Sequence, residues 1–443
     1  MKIVEVKSHV LQCDMPEELG YSQQYYSKRT AHLVEVRTDE GITGWGECFG
    51  PGNIAIVNKS IVEKIISPMV LGMDPLDRDV VWHKVYNLLR DHGQKGMPLQ
   101  SLSGVDIALW DICGKVAGLP LHKLIGGAHR HEVTAYGYGM MLKRESVDNH
   151  VARFKDEARA IIGMGFTATK MKTGLGPKAD LRLCEAVAEA VGDARFMVDA
   201  NHCYTTSDAF YVGRALDELG AYWFEEPVAP EDHDGYRELR AGLKVNISGG
   251  EAEFNRWGWR GILENRGLDI AQPEVCALGG ISEYLRVLAL CHAHFTPVIN
   301  HVWGSAIAVA TNLQLLAAMP PLPGGLHPWE PMLEFDTTEN GFATSCWWSL
   351  STYRGKSNAM AARYAFRILR GSASHRILTS SPATSWTASA SCSVPVKPES
   401  VAQGQDDRCT TSIRSDGGSV RSLGQCDAEE ISYVNGARQT LIR

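Results

Sequence analysis

Between about residue 126 and residue 340, short apolar segments alternate with longer segments of helical periodicity, and this alternation restricts the fold more than any other feature. The strand-like segments are 133–138, 167–172, 195–199, 222–225, 245–249, 268–271 and 296–300, with a weaker eighth at 326–330. Strands that alternate with helices form a parallel sheet. Eight such strands predict a closed barrel with its helices outside.

The regions on either side have other patterns. Residues 3–6 and 31–36 alternate as strands do, a turn at 39–41 leads into a further strand at 42–47, and residues 101–116 have apolar side chains at helical spacing. We therefore predict an α+β domain over residues 1–125. The tail from residue 343 to 443 contains a stretch rich in Ser, Ala and Thr without periodicity, at 371–395, which predicts a largely disordered segment.

Ionisable side chains follow the predicted barrel strands at regular intervals. The intervals are 27, 26, 26, 23, 27 and 29 residues, close to the length of one strand–helix unit in a barrel of about 250 residues. Barrel enzymes place their active sites at the C-terminal ends of the strands. We therefore predict one site that collects Lys172, Asp199, Glu225, Glu251, Glu274, His301 and Glu330.

Three successive members of this series are carboxylates, namely Asp199, Glu225 and Glu251. Oxygen donors from adjacent strands suit a hard cation with octahedral preference, and three close negative charges repel one another unless a cation lies between them. No Cys or His accompanies them, which disfavours zinc. We predict Mg²⁺, with Mn²⁺ as the alternative. Glu226 follows Glu225 directly, and strand alternation predicts that it points away from the metal.

The remaining members provide acids and bases. Lys170 and Lys172 lie two residues apart on one strand, so both face the same side, and each should lower the pKa of the other. A lysine tuned in this way can act as a general base. Glu274 beside His301 would fix its tautomer and raise its basicity, which provides a second base. A protonated Glu330 could donate a hydrogen bond to a developing oxyanion.

Charge and composition exclude several classes of protein. The formal net charge of -7 disfavours a nucleic-acid partner, which normally meets a basic surface. The chain has no apolar stretch of the length that spans a membrane and no apolar leader at residues 1–10. We therefore expect a cytoplasmic protein. The 11 cysteines form no C-x-x-C pair, which argues against zinc and against a disulfide framework.

Several short motifs resemble the enolase superfamily, in its mandelate racemase group. They are T-K-M-K (169–172), V-D-A-N (198–201), F-E-E-P (224–227), G-G-E (249–251) and N-H-V-W-G (300–304), together with G-W-G-E-C (44–48) and the segment 101–116. The resemblance covers about residues 1–340. It implies an α/β fold, a modified (β/α)7β TIM-like barrel over residues 126–342 with an N-terminal α+β capping domain over residues 1–125.

The resemblance also implies roles for individual residues. Magnesium would bind Asp199, Glu225 and Glu251. Lys172 would be a base with Lys170 as its neutralising neighbour, and His301, paired with Glu274, would act on the other face. Loops near 15–28 and 48–54 would close over the substrate. The candidate contacts with the substrate are Asn201, Tyr25, Tyr26 and Phe49.

The reaction implied is the opening of an acid-sugar lactone. A base takes the proton α to the free carboxylate, the β-oxygen of the lactone ring departs, and ketonisation leaves a linear 2-keto-3-deoxy acid. The partner would be a small acid sugar or its lactone, and we expect a homo-oligomer. An acid-sugar dehydratase, acting on an aldarate or aldonate, and a racemase remain open within the same group. An inactive barrel that serves as a binding protein is the alternative from another class.

Overall fold

The computed structural model describes residues 1–338, 340, 342, 376–378, 431–434 and 437–440. The N-terminal region contains a three-stranded antiparallel sheet, with strands β1 (Ile3–Tyr21), β2 (Gln24–Thr38) and β3 (Thr43–Cys48). Strands β1 and β2 form one long hairpin that pairs from Ile3 with Thr38 as far as Tyr21 with Gln24. The helices of this region are α1 (Ile54–Ile61), a π-helical turn (Val62–Ile66), α2 (Ser67–Val70), α3 (Arg78–Leu89), α4 (Met97–Ala117) and α5 (Leu121–Leu124).

Helix α4 packs directly against strand β3, and glycines make this approach possible. A Cβ atom on Gly46 would lie 2.0 Å from the carbonyl oxygen of Gly104, and one on Gly44 would lie 2.1 Å from that of Ala108. No side chain fits at such distances. Buried side chains therefore occur along most of α4, which includes the helix predicted at 101–116.

The second region is a curled parallel sheet with helices between its strands. Its strands are β4 (Glu132–Tyr138), β5 (Ala168–Lys172), β6 (Arg195–Asp199), β7 (Trp223–Glu225), β8 (Asn246–Gly249), β9 (Ile270–Ala271) and β10 (Met332–Asp336), in the order β10-β4-β5-β6-β7-β8-β9. The helices are α6 (Val147–Gly163), α7 (Pro177–Val191), α8 (Thr206–Leu219), α9 (His233–Gly242), α10 (Asn255–Glu264), α11 (Gly280–Ala293) and α12 (Ala306–Ala318). The predicted α/β class and barrel-like sheet are confirmed.

Two predicted strands differ from the structure. The segment 296–300 contributes only an isolated parallel bridge between Val298 and Ala271. The last strand of the barrel-like sheet in its parallel order is β10, six residues beyond the predicted 326–330, and it pairs with β4 from Met332 to Asp336. Pro323, Pro328 and Pro331 explain the shift, because proline lacks the N–H that a sheet ladder requires. The prediction of a strand that ends at Glu330 was therefore wrong.

The tail contributes three short strands to the described residues. Strand β11 (Arg376–Leu378) pairs antiparallel with β4, and β12 (Ile431–Val434) pairs antiparallel with β13 (Ala437–Thr440). The predicted disorder of 343–443 otherwise falls outside the described part of the chain. Within that part, no helix is both long enough and apolar enough to cross a membrane.

Candidate active site

The C-terminal ends of the barrel strands open into a cavity of about 600 Å³ beneath the β1–β2 hairpin. Lys172, Asn201, Glu251 and His301 line this cavity, although they follow four different segments of the barrel. Asp199 and Glu225 are fully buried beside it, at 0% and 1% exposure. The structure thus brings these predicted residues together, as the parallel strands require.

Lys170 is a buried cation surrounded by carboxylates. Its Nζ lies 2.7 Å from Glu225 Oε1, 2.7 Å from Glu334 Oε1 and 3.7 Å from Asp199 Oδ2. Burial alone would lower the pKa of Lys170, but the carboxylates outweigh burial and hold the pKa well above its usual value. The charged form of Lys170 is therefore favoured next to the cavity.

Lys172 reaches the cavity itself. Its Nζ donates hydrogen bonds to Asp199 Oδ2 and, over 2.9 Å, to Asn201 Oδ1. Burial lowers the pKa of Lys172, yet the nearby Asp199 carboxylate raises it further, so the net shift is upward. The prediction of a lowered pKa was wrong for this arrangement. Lys170 acts in the predicted direction, but Asp199 outweighs it.

His301 lies between two carboxylates. Its Nδ1 is 2.7 Å from Glu274 Oε2, and its Nε2 is 3.0 Å from Glu251 Oε2. Burial alone would lower the pKa of the imidazole, but Glu251 and Glu274 outweigh burial and raise the pKa well above its usual value. Both ring nitrogens then carry protons, so His301 is arranged as a proton donor towards the cavity.

Carboxylates outnumber cations at these strand ends. Six carboxylates, Asp199, Glu225, Glu226, Glu251, Glu274 and Glu334, face Lys170, Lys172 and His301. Burial raises the pKa of Glu225 to about 7 and that of Glu226 well above its usual value. Burial is the largest cause of both shifts, and the neighbouring carboxylates add to it, whereas Lys170 lowers the pKa of Glu225 and His301 that of Glu226.

Glu226 belongs to the same cluster, although strand alternation predicted that it points away. Its φ of 42° breaks the extended backbone, and its charge interacts with those of Glu251 and Asp199. Its buried Oε2 has no hydrogen-bond partner. A buried carboxylate oxygen without a partner is costly, and a further positive group in this cluster would relieve that cost.

The carboxylates are not arranged as a ready set of metal ligands. Among the residues that the structure describes, no three His, Cys, Asp or Glu side chains form a group that could hold a metal ion. The reason lies in their partners, since Glu225 faces Lys170, Asp199 faces Lys172 and Glu251 faces His301. Ion pairs within the chain hold each carboxylate separately.

Glu330 lies away from this cluster. It precedes β10, its side chain is 54% exposed, and its Oε2 accepts a hydrogen bond of 2.8 Å from Arg130, which precedes β4. The N-terminal ends of parallel strands lie opposite the active-site edge. The predicted role of Glu330 at the active site is therefore corrected. Glu334, within β10, takes its place beside Lys170.

The predicted substrate contacts divide between the two faces of strand β2. Tyr26 lines the cavity, whereas Tyr25 packs under the Arg144 guanidinium at 4.2 Å and faces away from the cavity. Adjacent strand residues point to opposite faces, so only one of the two tyrosines could take part. Phe49 lines the cavity and meets the His301 ring edge-on, with 5.9 Å between ring centroids.

The sequence analysis also missed cavity residues. Trp303 lines the cavity two residues after His301, and the buried Arg29 stacks on its ring at 3.8 Å while pairing with Asp336 over 3.1 Å. Glu334 lies four residues after Glu330 in the same acidic, apolar segment. Correct placement of β10 would have identified it, whereas nothing in the local sequence around Arg29 indicates a pairing across 307 residues.

Two family models match the chain. The model described as "Mandelate racemase / muconate lactonizing enzyme, N-terminal domain" matches residues 9–126. The model described as "Enolase C-terminal domain-like" matches residues 153–344. The first covers the antiparallel sheet and its helices, and the second covers the strand ends that carry the ionisable cluster.

Individual proteins are similar over most of their length. The D-galactarolactone cycloisomerase of Agrobacterium fabrum is 41% identical over 346 residues, which are 77% of this chain and 89% of that protein. The crystal structure of 3,6-anhydro-D-galactonate cycloisomerase from Zobellia galactanivorans has a TM-score of 0.69 and 33% identity, and the match covers 78% of this chain and 90% of that chain.

A third similar protein is a dehydratase. The crystal structure of L-talarate/galactarate dehydratase from Salmonella typhimurium, liganded with Mg and L-lyxarohydroxamate, has a TM-score of 0.66 and 28% identity, and the match covers 75% of this chain and 82% of that chain. Both family models and all three proteins agree with the motifs and with the two-part fold. The chain belongs to the enolase superfamily, in its mandelate racemase and muconate lactonizing enzyme group, and is an enzyme of the isomerase or lyase type.

Proposed function

We propose that this protein opens an acid-sugar lactone, similar to D-galactarolactone, to a linear 2-keto-3-deoxy acid in a magnesium-dependent reaction. The coarser assignment, an acid-sugar enzyme, rests on the cycloisomerase and dehydratase relatives. One observation supports proton abstraction at this cavity most strongly. Lys172 and His301 both reach one cavity, from the ends of different strands, with a cluster of carboxylates between them.

Asp199, Glu225 and Glu251 would hold the cation once their present ion pairs with Lys172, Lys170 and His301 open. The negative charge that exceeds the cationic side chains, and the unpartnered Glu226 Oε2, both fit an added divalent cation. Oxygen ligands without Cys favour Mg²⁺, with Mn²⁺ possible by the same chemistry. When bound, the ion would supply positive charge against the negative charge that develops on the substrate carboxylate.

Lys172 is the proposed general base. Its Nζ faces the cavity and is held by Asn201 Oδ1 over 2.9 Å. While Asp199 pairs with Lys172, the ammonium form is favoured, so proton abstraction requires that Asp199 is engaged elsewhere. Lys170 stays charged beside it, because Glu225 and Glu334 hold its Nζ at 2.7 Å.

His301 is the proposed acid on the other side of the cavity. Glu274 holds Nδ1 over 2.7 Å, which orients the ring so that Nε2, now 3.0 Å from Glu251 Oε2, lies on the cavity side. Lys172 would take the proton α to the carboxylate, and the electron pair of that C–H bond would form the α–β double bond as the β-C–O bond breaks. The ring oxygen would leave as part of a new carboxylate, which gives an enol. His301 is placed to give a proton to the β-carbon while the enol hydroxyl loses its proton to become the ketone, so the heavy atoms are unchanged and one proton passes to solvent.

A dehydratase is the second candidate. It would begin with the same α-proton abstraction and would expel the β-hydroxyl of an open-chain aldarate or aldonate, with His301 donating a proton to form water. The similarity to L-talarate/galactarate dehydratase supports this candidate. A racemase would instead return the proton to the α-carbon from the opposite face, using the same Lys172 and His301.

A substrate screen tests the proposal. Purified protein with Mg²⁺ is given aldarolactones and linear aldarates or aldonates, and 2-keto acid formation is followed by semicarbazone absorbance. We expect keto acid from the lactone, complete loss with EDTA, and loss by about 10²-fold or more in Lys172→Ala. Keto acid from linear acids alone would favour the dehydratase. If no acid sugar is turned over with Mg²⁺ present, the remaining alternative is an inactive barrel that serves as a binding protein.

A further inference from the structure

The tip of the β1–β2 hairpin is seated on the barrel. Gly20 and Leu142 exchange two main-chain hydrogen bonds, of 2.7 and 2.8 Å, where the hairpin crosses from its own sheet onto the barrel. Residues 21–24 beyond this point form the turn. The tip therefore has a fixed position at the edge of the cavity.

Two side chains of the tip hold one main-chain carbonyl of the barrel. Ser22 Oγ donates a 2.8 Å hydrogen bond to the Asn201 carbonyl oxygen, and Gln23 Nε2 donates another to the same oxygen over 3.0 Å. Gln23 Nε2 also donates to Ser22 Oγ over 3.2 Å. Two donors from one domain thus converge on a single acceptor of the other domain.

Asn201 passes this contact on to Lys172. Its side-chain Oδ1 accepts the 2.9 Å hydrogen bond from Lys172 Nζ, and its main-chain N–H donates to Asp199 Oδ1 over 2.9 Å. The residue is 4% exposed. One residue therefore contacts the hairpin through its backbone oxygen and the proposed base through its side chain.

The backbone at this point requires support. Asn201 has a φ of 41° and the next residue, His202, a φ of 55°. Non-glycine residues rarely occupy this left-handed region, and two in succession persist only where their surroundings hold them. The hydrogen bonds from Ser22 and Gln23 act on the carbonyl between these two residues, so they hold the strained link directly.

The barrel also leaves room for the tip. A Cβ atom added to Gly174, whose φ is 138°, would lie 2.6 Å from the Cβ of Ser22. Any side chain at 174 would therefore displace Ser22. This glycine lies two residues after Lys172, so the segment that carries the proposed base also accommodates the serine that contacts Asn201.

We propose that Ser22 and Gln23 are positioning residues for Lys172 that act through Asn201, so the base is correctly oriented only while the hairpin tip is seated on the barrel. This inference rests on the proposed function, which assigns Lys172 as the base. It predicts that loss of the tip contacts slows proton abstraction more than it weakens substrate binding, since the orientation of the reacting group limits the chemical step.

The test compares the double variant S22A/Q23A with a matched control, E17Q/E18Q. The control removes the negative charge from two ion pairs between hairpin and barrel, Glu17 to Lys143 and Glu18 to Arg144, each of 2.7 Å, and neither pair touches Asn201. With the substrate found in the screen, we expect kcat of S22A/Q23A to fall about 10- to 100-fold with KM within about threefold. The kcat and the KM of the control should each stay within about twofold of the wild-type values.

Two further measurements separate positioning from general damage. A substrate deuterated at the α-carbon should give a larger primary isotope effect in S22A/Q23A than in the wild type, because proton abstraction becomes slower relative to other steps. S22T, which keeps the hydroxyl, should recover most of the activity lost in S22A. If the double variant is less folded by thermal unfolding, the single variants S22A and Q23A are compared in the same way.

The outcomes distinguish a failure of the positioning role of Ser22 and Gln23 from a failure of the proposed function. An active wild type and an inactive Lys172→Ala, with S22A/Q23A no slower than E17Q/E18Q, would overturn the positioning role alone. A change confined to KM would also overturn it. A wild type without activity, or a fully active Lys172→Ala, would instead overturn the proposed function.

Discussion

At the scale of residues, the site consists of ionisable groups that set one another's charge. Lys170, with 1% of its side chain exposed, is surrounded by Glu225, Glu334 and, further away, Asp199. A buried charge of this kind is tolerated only with partners, and removal of one partner costs far more than loss of a surface pair. Loss of Glu334, which pairs with the buried Lys170, should therefore affect the site far more than loss of Glu330, whose side chain is 54% exposed.

Substitution of these two glutamates gives the first prediction. Glu334→Gln should lower kcat/KM by about 10- to 100-fold, because Glu334 is 3% exposed, pairs with Lys170 over 2.7 Å and accepts the Val302 N–H over 2.9 Å. Glu330→Gln, on the opposite edge of the sheet, should stay within about twofold. Steady-state kinetics on the same substrate measure both. Equal losses in the two variants would contradict the placement of β10.

The residues that end β5 to β8 could be predicted from the sequence, because they recur at intervals close to the length of one strand–helix unit. Lys172, Asp199, Glu225 and Glu251 all lie at the expected edge. The prediction for Glu330 failed for a physical reason, since prolines moved the last barrel strand to Met332–Asp336. The pKa direction of Lys172 also failed, because the strength of its contact with Asp199 depends on tertiary geometry.

At the scale of elements, the N-terminal domain caps two helices of the barrel. Glu47 at the end of β3 accepts hydrogen bonds from Ser305 N and Oγ and from Ala308 N, at the start of α12. Asp106 on α4 accepts hydrogen bonds from Ser282 N and Oγ, of 2.9 and 2.6 Å, in the first turn of α11. Carboxylates at helix N-termini accept hydrogen bonds from the free N–H groups, and their negative charge interacts favourably with the helix dipole.

The Asp106 contact predicts a pH dependence of stability. Burial raises the pKa of Asp106 to about 7, above its unfolded value of about 3.8. A carboxyl whose pKa rises on folding contributes stability below the unfolded pKa and loses it as the pH rises through the folded pKa. Stability should therefore decrease between about pH 4 and pH 7 through this group. Asp106→Asn cannot ionise and should lack this contribution.

Urea unfolding at pH 5 and pH 8 measures the effect. From pH 5 to pH 8, the free energy of unfolding of the wild type should fall by on the order of 2 kcal/mol more than that of Asp106→Asn, at about 1.4 kcal/mol per unit of pKa shift. A difference between variant and wild type that is the same at both pH values would show that Asp106 does not titrate in this range.

The contact between β3 and α4 predicts a different kind of sensitivity. Gly46→Ala should destabilise the protein by at least about 2 kcal/mol, because the new Cβ would lie 2.0 Å from the Gly104 carbonyl and the backbone must move. Gly163→Ala is the control, since no atom lies within 4 Å of its added Cβ, at the end of α6. The control should be neutral or slightly stabilising. Chemical unfolding compares both, and similar behaviour would contradict the close packing.

Sequence periodicity identified α4 and most barrel strands but not these close contacts. Apolar spacing defines which face of a helix is buried, whereas the partner of that face depends on the whole fold. The G-W-G-E segment at 44–47 contains the two glycines and the capping glutamate together. The glycines allow β3 to approach α4, and Glu47 caps α12. These two functions can be recognised only when the positions of α4 and α12 are known.

At the scale of the whole molecule, the cavity lies between two regions that are separate in sequence. The barrel contributes the ionisable floor, and the hairpin and the segment after β3 contribute Tyr26, Phe49 and the polar rim. Arg29, buried between Trp303 and Asp336, ties the two regions together beside the cavity. The proposed chemistry therefore depends on the relative placement of both regions, and at its centre on one cation between the ends of β6, β7 and β8.

Diffraction from crystals grown with MnCl₂ and measured near the manganese absorption edge tests that centre most directly. We expect a single anomalous peak about 2.1 Å from oxygens of Asp199, Glu225 and Glu251, with Lys172 Nζ released from Asp199. The peak should be absent from an Asp199→Asn/Glu225→Gln variant. A peak bound elsewhere, or none while Glu225 still pairs with Lys170, would contradict a metal-dependent active site at these strand ends.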